Sequence, residues 1–226
     1  MRPFLLWSLL SLLMTACAPP GPPVRVLPLS PPCTSRPERA QLLDGSWLQQ
    51  PGIWQLRQSA LLEIGRRKFP LEGLLQLDVG RGEARLAAMN EVGLVMFELQ
   101  LDAKGEQLLR AIPQLQRQPG FAPGVAESLR RIYLQARPLA GDRLQLQPGS
   151  QRLWRPLPGG SLGFIFTCAG ELAETREISD AGNWRVLYND YQEFDGVRIP
   201  QQIVYKDYRH RVKLSLWLRE VKRKDE

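Results

Sequence analysis

The chain is poor in the residues that do chemistry. It holds one histidine, His210, and three cysteines, Cys17, Cys33 and Cys168, in 226 residues. His210 stands between Arg209 and Arg211. Two flanking cations would repel a metal ion, so a solvated turn residue is expected there rather than a ligand or base. The cysteines lack metal-ligand spacing. No Gly-x-Ser-x-Gly elbow, phosphate-cradling loop or dinucleotide fingerprint occurs, and Gly80-Arg81-Gly82 and Pro158-Gly159-Gly160 read as turns. The acids Glu171, Glu174, Glu177 and Asp180 gather on what reads as a polar strand and loop. These absences remove the common hydrolase, kinase and metalloenzyme arrangements. A binding protein is expected, with no catalytic residue, no metal and no cofactor.

Long hydrophobic runs are scarce too. The one apolar run at the start, Leu5 to Ala16, is shorter than the roughly 20 residues a spanning helix needs. With Arg2 before it and small residues after it, the run matches the h-region of an export signal. It stops at Met14-Thr15-Ala16-Cys17. That string resembles the lipobox of bacterial lipoprotein signals. The resemblance implies that residues 1–16 are removed and that Cys17 becomes the lipidated first residue, leaving 226 − 16 = 210 residues. Several acyl chains anchor far more firmly than one. If enterobacterial sorting applies, Ala18, which is not aspartate, implies the outer membrane, with the body facing the periplasm.

Residues 17–40 are crowded with proline, as in Ala18-Pro19-Pro20-Gly21-Pro22-Pro23. Proline fixes φ and removes a donor, so this stretch reads as an extended tether. The formal charge of +7 becomes +6 once Arg2 leaves. An exported lipoprotein rarely meets nucleic acid, so none is expected as a partner, and anionic lipid headgroups fit the basic balance better. With Cys17 assigned to lipid, Cys33 and Cys168 remain. In an oxidising compartment they could pair, or Cys168 could be a buried thiol and Cys33 a linker residue.

The body, residues 41–226, alternates at period two. Leu75, Leu77 and Val79 share one face of a run, and Phe97, Leu99 and Leu101 share one face of the next. Trp184-Arg185-Val186-Leu187-Tyr188 and Val212-Lys213-Leu214-Ser215-Leu216-Trp217-Leu218 repeat the pattern. Such alternation predicts antiparallel strands with one apolar face and one wet face. Turns are expected at Gly80–Gly82, Ala103–Gly105, Pro158–Gly160 and Asp195-Gly196, and Pro200 is expected to open a strand. A helix is predicted over Phe121–Ala136. Its apolar stripe is Val125, Leu129, Ile132, Tyr133 and Ala136, with Pro123 in the first turn and Pro138 beyond the end. A weaker helix is predicted over about residues 37–48. The expected order is a short helix, four strands, the long helix and several more strands, an α+β arrangement that is mainly antiparallel β.

Two local strings carry a family resemblance. Arg85 to Leu99 runs as strand, Asn90-Glu91-Val92-Gly93 turn and returning strand, and looks like the central strand–loop–strand of LolB, the outer-membrane lipoprotein receptor. The closing stretch, Tyr188 to Pro200 followed by Val212 to Leu218, is similar to the last hairpin of the LolA and LolB group. A wider set of related bacterial lipoproteins looks similar as well. The resemblance spans roughly residues 47–221. It implies a curved, incomplete β-barrel with helices covering its open side and a hydrophobic cavity for acyl chains. On that reading Leu75, Leu77, Phe97, Leu99, Leu101, Val186, Leu214 and Leu216 line the cavity. Val92 and Leu94 form a membrane-contact loop, although Val92 is smaller than the family's leucine and Glu91 beside it is unwelcome in lipid. The cargo would be a lipid or an acylated lipoprotein, received in the periplasm from a carrier protein, and no step would be catalysed. The alternative is a structural envelope lipoprotein that binds a protein partner, with the same leucines forming a packed core.

Overall fold

The computed structural model describes residues 33–44, 47, 50, 52–134 and 137–224. The signal segment, Cys17 and most of the proline-rich stretch lie outside the described residues. Among the described residues, no helix is long and apolar enough to cross a membrane.

Among the described residues, twelve strands form one antiparallel sheet. A short helix α1 (Arg39–Asp44) precedes β1 (Ile53–Ile64), β2 (Arg67–Asp78), β3 (Glu83–Met89), β4 (Val95–Asp102) and β5 (Gly105–Ala111). Helices α2 (Pro113–Gln116) and α3 (Phe121–Leu129) follow, and α3 continues as a π-turn over Arg130–Leu134. The chain then makes β6 (Arg143–Gln147), β7 (Ser150–Leu157), β8 (Gly160–Phe166), β9 (Leu172–Ile178), β10 (Asn183–Phe194), β11 (Val197–Asp207) and β12 (Val212–Lys224). Five strands therefore precede the helices, not four. The extra one is β5, whose Glu106, Gln107 and Arg110 blur the alternation.

The order in space is β5-β4-β3-β2-β1-β12-β11-β10-β9-β8-β7-β6. Every neighbour is joined by a short turn except β1 with β12, which brings the two ends of the body together in mid-sheet. The sheet is not closed: β5 and β6 are its two edges, and the helical segment is the connection between them. Because neighbouring strands run antiparallel, the turns after β1, β3, β9 and β11 share one end of the sheet. The turn between β8 and β9 lies at the opposite end. Cys33 and Cys168 are bonded there, with Cα atoms 5.4 Å apart.

Period-two alternation places the apolar residues on one face. Across β12, β1, β2, β3 and β4 the register stacks Val221, Leu56, Leu75, Leu86 and Leu99 in one inward row. One buried cluster results, from Leu42 and Trp47 through the sheet to Leu216 and Leu218. At about 25 cal/mol per Å² this burial is the main force holding the sheet. Gly73 has a specific task within it. Its strand partner is Gln58, and a Cβ on Gly73 would stand 3.1 Å from Gln58 Cγ, so glycine makes room for a buried amide.

Pro200 sits inside β11 opposite Tyr191 and does not open that strand. The ladder is already interrupted beside it, since Asp190 has φ 56° and makes no pair with Gln201. A residue without an N–H is tolerated at such a break.

The helical segment shows how the sheet bends. Phe121 packs edge-on against Phe97 of β4 with ring centroids 5.0 Å apart. Eleven residues later, the Ile132 carbonyl accepts a hydrogen bond of 3.0 Å from the Tyr188 hydroxyl of β10. Seven strands in a flat sheet, from β4 to β10, would span about 29 Å at 4.8 Å per strand. Eleven helical residues rise only about 16 Å. The sheet therefore curls toward the helix. Residues 31–226 form a compact unit of their own. That unit holds every strand, the buried cluster and the disulfide, and so carries what it needs to fold alone.

Candidate functional site

Helix α3 and its π-turn meet the apolar face of the sheet. Ala126, Leu129, Ile132 and Tyr133 are buried, while Phe121 and Val125 are half-buried. The predicted stripe included Leu129, Ile132 and Tyr133 but not Ala126; Ala136 lies outside the described residues. The π-turn changes the helical period after Leu129 and brings Ile132 and Tyr133 inward together, an offset that a uniform period of 3.6 does not foresee.

The structure brings together the residues expected to line a cavity. Leu75, Leu77, Phe97, Leu99, Leu101, Val186 and Leu216 are buried in one cluster, with Leu214 half-buried against it. Two hollows, of about 350 and about 490 Å³, lie on the outward face of the central strands. Arg57, Leu74 and Glu98 line the first, Leu61, Glu72 and Trp217 the second, and no residue of α3 lines either.

Polar groups under the helix are the part that sequence reasoning missed. Tyr133, almost fully buried, donates to Gln58 Oε1 at 3.0 Å. Burial pushes the Tyr133 and Tyr188 phenols far above their ordinary range, so both remain hydrogen-bond donors at any working pH. Trp47 packs edge-on against both Trp54 and Tyr133, with centroids 6.3 and 6.0 Å apart. Both indoles are buried, at 1 % and 0 % exposure. Neither Trp47 Nε1 nor Trp54 Nε1 has a hydrogen-bond partner among the described residues. A buried donor left unpaired costs about 1–3 kcal/mol, and packed interiors rarely carry two in one cluster. Position 58 and the two tryptophans could have been singled out as polar atoms at inward-facing positions.

Ion pairs fasten the helix at its sides. Arg130 meets Glu106 of β5 at 3.0 Å. Arg131 meets Asp207 of β11 at 2.9 Å and lies over the Trp184 ring at 5.2 Å. Asp207 also accepts from the His210 amide at 2.9 Å, and its Oδ2 stands 3.0 Å from His210 Nδ1. His210 is thus an exposed turn residue that braces a buried carboxylate. Burial alone would raise the Asp207 pKa, but hydrogen bonds from His210 and the charges of His210 and Arg131 outweigh it and hold the carboxyl below its ordinary value. A depressed pKa contributes stability above the unfolded value and loses it as pH falls through the folded value. Asp207→Asn should therefore cost about 2 kcal/mol near pH 7, softened because Arg131 keeps Glu127 at 2.8 Å. The cost should shrink at an acid pH below the ordinary aspartate range, where the carboxyl takes up its proton in the folded protein as well. Urea denaturation at the two pH values checks this; an equal cost at both would break the assignment.

The β3–β4 loop presents its apolar residues outward. Val92 is 86 % exposed and Leu94 57 %. Asn90 Oδ1 accepts from the amides of Val92 at 3.1 Å and Leu94 at 2.9 Å, and Gly93 takes φ 79°. This turn fixes the loop and directs the Val92 side chain away from the body. Elsewhere the acids have local partners: Glu171 pairs with Arg198, Glu174 with Arg176, and Glu177 with Ser179 and Trp184. Among the described residues, no group of three or more His, Cys, Asp or Glu could hold a metal ion.

An open antiparallel sheet curled about one helix, with its apolar face inward, has counterparts among solved structures. A LolA superfamily protein from Nitrosomonas europaea superposes with a TM-score of 0.55 at 11 % identity, over 83 % of this chain and 94 % of that one. The fold is LolA-like. An outer membrane lipoprotein-sorting protein domain from Vibrio parahaemolyticus gives a TM-score of 0.49 at 8 % identity, over 76 % of this chain and 86 % of that one. No family model and no curated protein matches the sequence. Within this LolA-like body, the curled sheet, the helix and the two unpaired indoles define the candidate site.

Proposed function

We propose that the protein is a non-catalytic, periplasm-facing outer-membrane lipoprotein that takes an acyl-chain cargo, a lipid or an acylated lipoprotein, between the apolar face of its sheet and helix α3. The observation that carries this reading is the pair of buried indole N–H groups without acceptors among the described residues, beside the Tyr133–Gln58 hydrogen bond in a mainly apolar cluster. A core built only for stability has no use for them. An ester or amide carbonyl next to an acyl chain would accept from them, while the chain replaces contacts among the leucines at about 0.8 kcal/mol per buried methylene. Helix α3 covers the open side and must shift to admit cargo, with Arg131–Asp207 and Arg130–Glu106 as its side fastenings. Cys17 carries the anchor, and Val92 and Leu94 touch the membrane during transfer. A periplasmic carrier hands the cargo over. The likeness of the fold to a LolA superfamily protein favours the same reading.

Native mass spectrometry of residues 31–226, purified from cells, tests the cargo, with bound lipid as the expected result. Trp54→Phe keeps most of the ring and removes one donor. It should weaken binding of a fluorescent phospholipid about tenfold, one charge-neutral hydrogen bond's worth, while leaving a plain hydrocarbon probe unaffected. No lipid on the wild-type body, and no binding of either probe, would favour the structural alternative.

A further inference from the structure

The end of the sheet opposite the Cys33–Cys168 bond carries a ridge of cations. The β1–β2 turn supplies Arg66, the start of β2 supplies Arg67 and Lys68, and the β11–β12 turn supplies Arg209 and Arg211, all exposed. The turns touch, since the Gly65 amide donates to the Arg211 carbonyl at 3.3 Å. On the strands that carry these turns the two flanking carboxylates are already engaged, while Glu91 and Asp180 stand on the neighbouring β3–β4 and β9–β10 turns, and Arg209 donates to the Ala181 carbonyl at 2.8 Å. Glu63 is held by Lys213 at 2.6 Å and Lys68 at 3.5 Å, and Asp207 by Arg131 and His210. The guanidinium groups of Arg66, Arg67 and Arg211 meet no carboxylate among the described residues. Burial and then the charges of Arg185 and Lys213 depress the Lys206 amine behind the ridge, which fits a dense positive field. A chain of net charge +7 thus concentrates much of its excess at two adjoining turns.

Apolar groups stand between these cations. Ile64 is 46 % exposed, Phe69 42 % and Tyr208 49 %. Ile64 pairs with both Arg67 and Val212, so it lies where the two turns meet. We propose that this ridge is a docking surface for an anionic phospholipid bilayer, with the arginines on headgroup phosphates and Phe69, Ile64 and Tyr208 at the acyl boundary. Two chemical arguments select lipid over an acidic protein. Stable protein interfaces bury about 800 Å² on each partner, more than two turn tips present, whereas a bilayer accepts a narrow protrusion. Alternating cations and aromatic or aliphatic groups also match the interfacial region, where each cation near an anionic surface adds about fivefold to binding. Val92 and Leu94 leave the sheet at the same end. By register Ile64, Arg67 and Phe69 continue the inward rows of Gln58 and Gly73, but all three are exposed beyond the buried cluster, so the ridge stands apart from the cargo site.

The test uses residues 31–226, which lack the lipidated cysteine, and sedimentation with vesicles of phosphatidylcholine alone or mixed with phosphatidylglycerol. The expected result is binding to the mixed vesicles at least tenfold tighter than to the neutral ones, lost at high salt. The triple variant R66Q/R67Q/R211Q should bind mixed vesicles about a hundredfold more weakly. Its urea midpoint should not move, since all three side chains are exposed. F69S/Y208S should lower binding to mixed vesicles while keeping its salt dependence. Equal binding to neutral and mixed vesicles, or an unaffected triple variant, would overturn the proposal. Binding to polyglutamate with none to vesicles would overturn it in favour of an acidic protein partner. Loss of lipid cargo in the Trp54→Phe variant with vesicle binding intact separates this surface from the cargo site.

Discussion

Replacing Cys33 and Cys168 together by serine should lower the stability of the body by about 2–5 kcal/mol and its melting temperature by about 10 °C. The bond closes a loop with a sequence separation of 135 residues. In the chain-entropy account, cross-linking so long a loop removes about 5 kcal/mol of disorder from the unfolded chain. The bond also places a strap. Beyond Cys33, Arg36 donates to the Gln147 carbonyl at 3.1 Å, and Gln151 Nε2 donates to the Pro37 carbonyl at 3.3 Å. Arg39 reaches the Asp142 carbonyl at 2.6 Å, and Leu42 is fully buried. Gly170, at φ 86°, lets the β8–β9 turn approach the strap: a Cβ there would stand 3.1 Å from Pro37 Cγ. Without the bond, residues 33–38 are tied to the sheet among the described residues by the Arg36–Gln147 and Gln151–Pro37 hydrogen bonds and the packing of Pro37 against Gly170. Thermal denaturation with and without reductant reads the effect. Each single variant should melt with the double variant, because one half-bond gives no closure. An unchanged midpoint on reduction would show that the strap is held by its packing alone.

The strands were the most legible part of the sequence, and the reason is physical. One face of each strand is buried and the other wet, so Leu75, Leu77, Phe97, Leu99, Leu101, Leu214 and Leu216 had to fall at period two. The turns were legible through glycine and aspartate: Gly82, Gly105, Gly159 and Gly196 all take positive φ. Strand β5 was missed because it is a sheet edge. Its inward Glu106 meets Arg130 of the helical segment instead of the apolar core, so its pattern is polar where a central strand's is not. The interruption near Pro200 was hidden because Asp190, not the proline, breaks the ladder. The polar half of the candidate site was not legible at all. Gln58, Tyr133, Trp47 and Trp54 are separated in sequence, and only the curl of the sheet toward the helix brings them together. The ridge of cations was visible only as a net charge. Its concentration follows from the pairing of β1 with β12, which puts Arg66 and Arg211 on adjoining turns.

Leu99→Ala should cost about 3 kcal/mol, within the range of about 2–5 for a close-packed leucine. Leu99 has 0 % exposure, lies opposite Leu86 on β3 and Leu108 on β5, and belongs to the single buried cluster. Truncation removes the transfer energy of three heavy atoms and leaves a void at about 24 cal/mol per Å³. The surrounding sheet can collapse only in part, because its register is fixed by the ladders on both sides. The same variant separates a packed core from a cargo site. If an acyl chain enters between sheet and helix, it can fill the void left by the truncated side chain. Lipid should then raise the urea midpoint of the Leu99→Ala body by more than it raises that of the wild type, by RT ln(1 + [L]/Kd) in each case. A cost well below about 2 kcal/mol without lipid would mean that the interior around Leu99 is already open. A full cost with no lipid effect on either protein would mean that these leucines only hold the sheet together, and the cargo reading would fall.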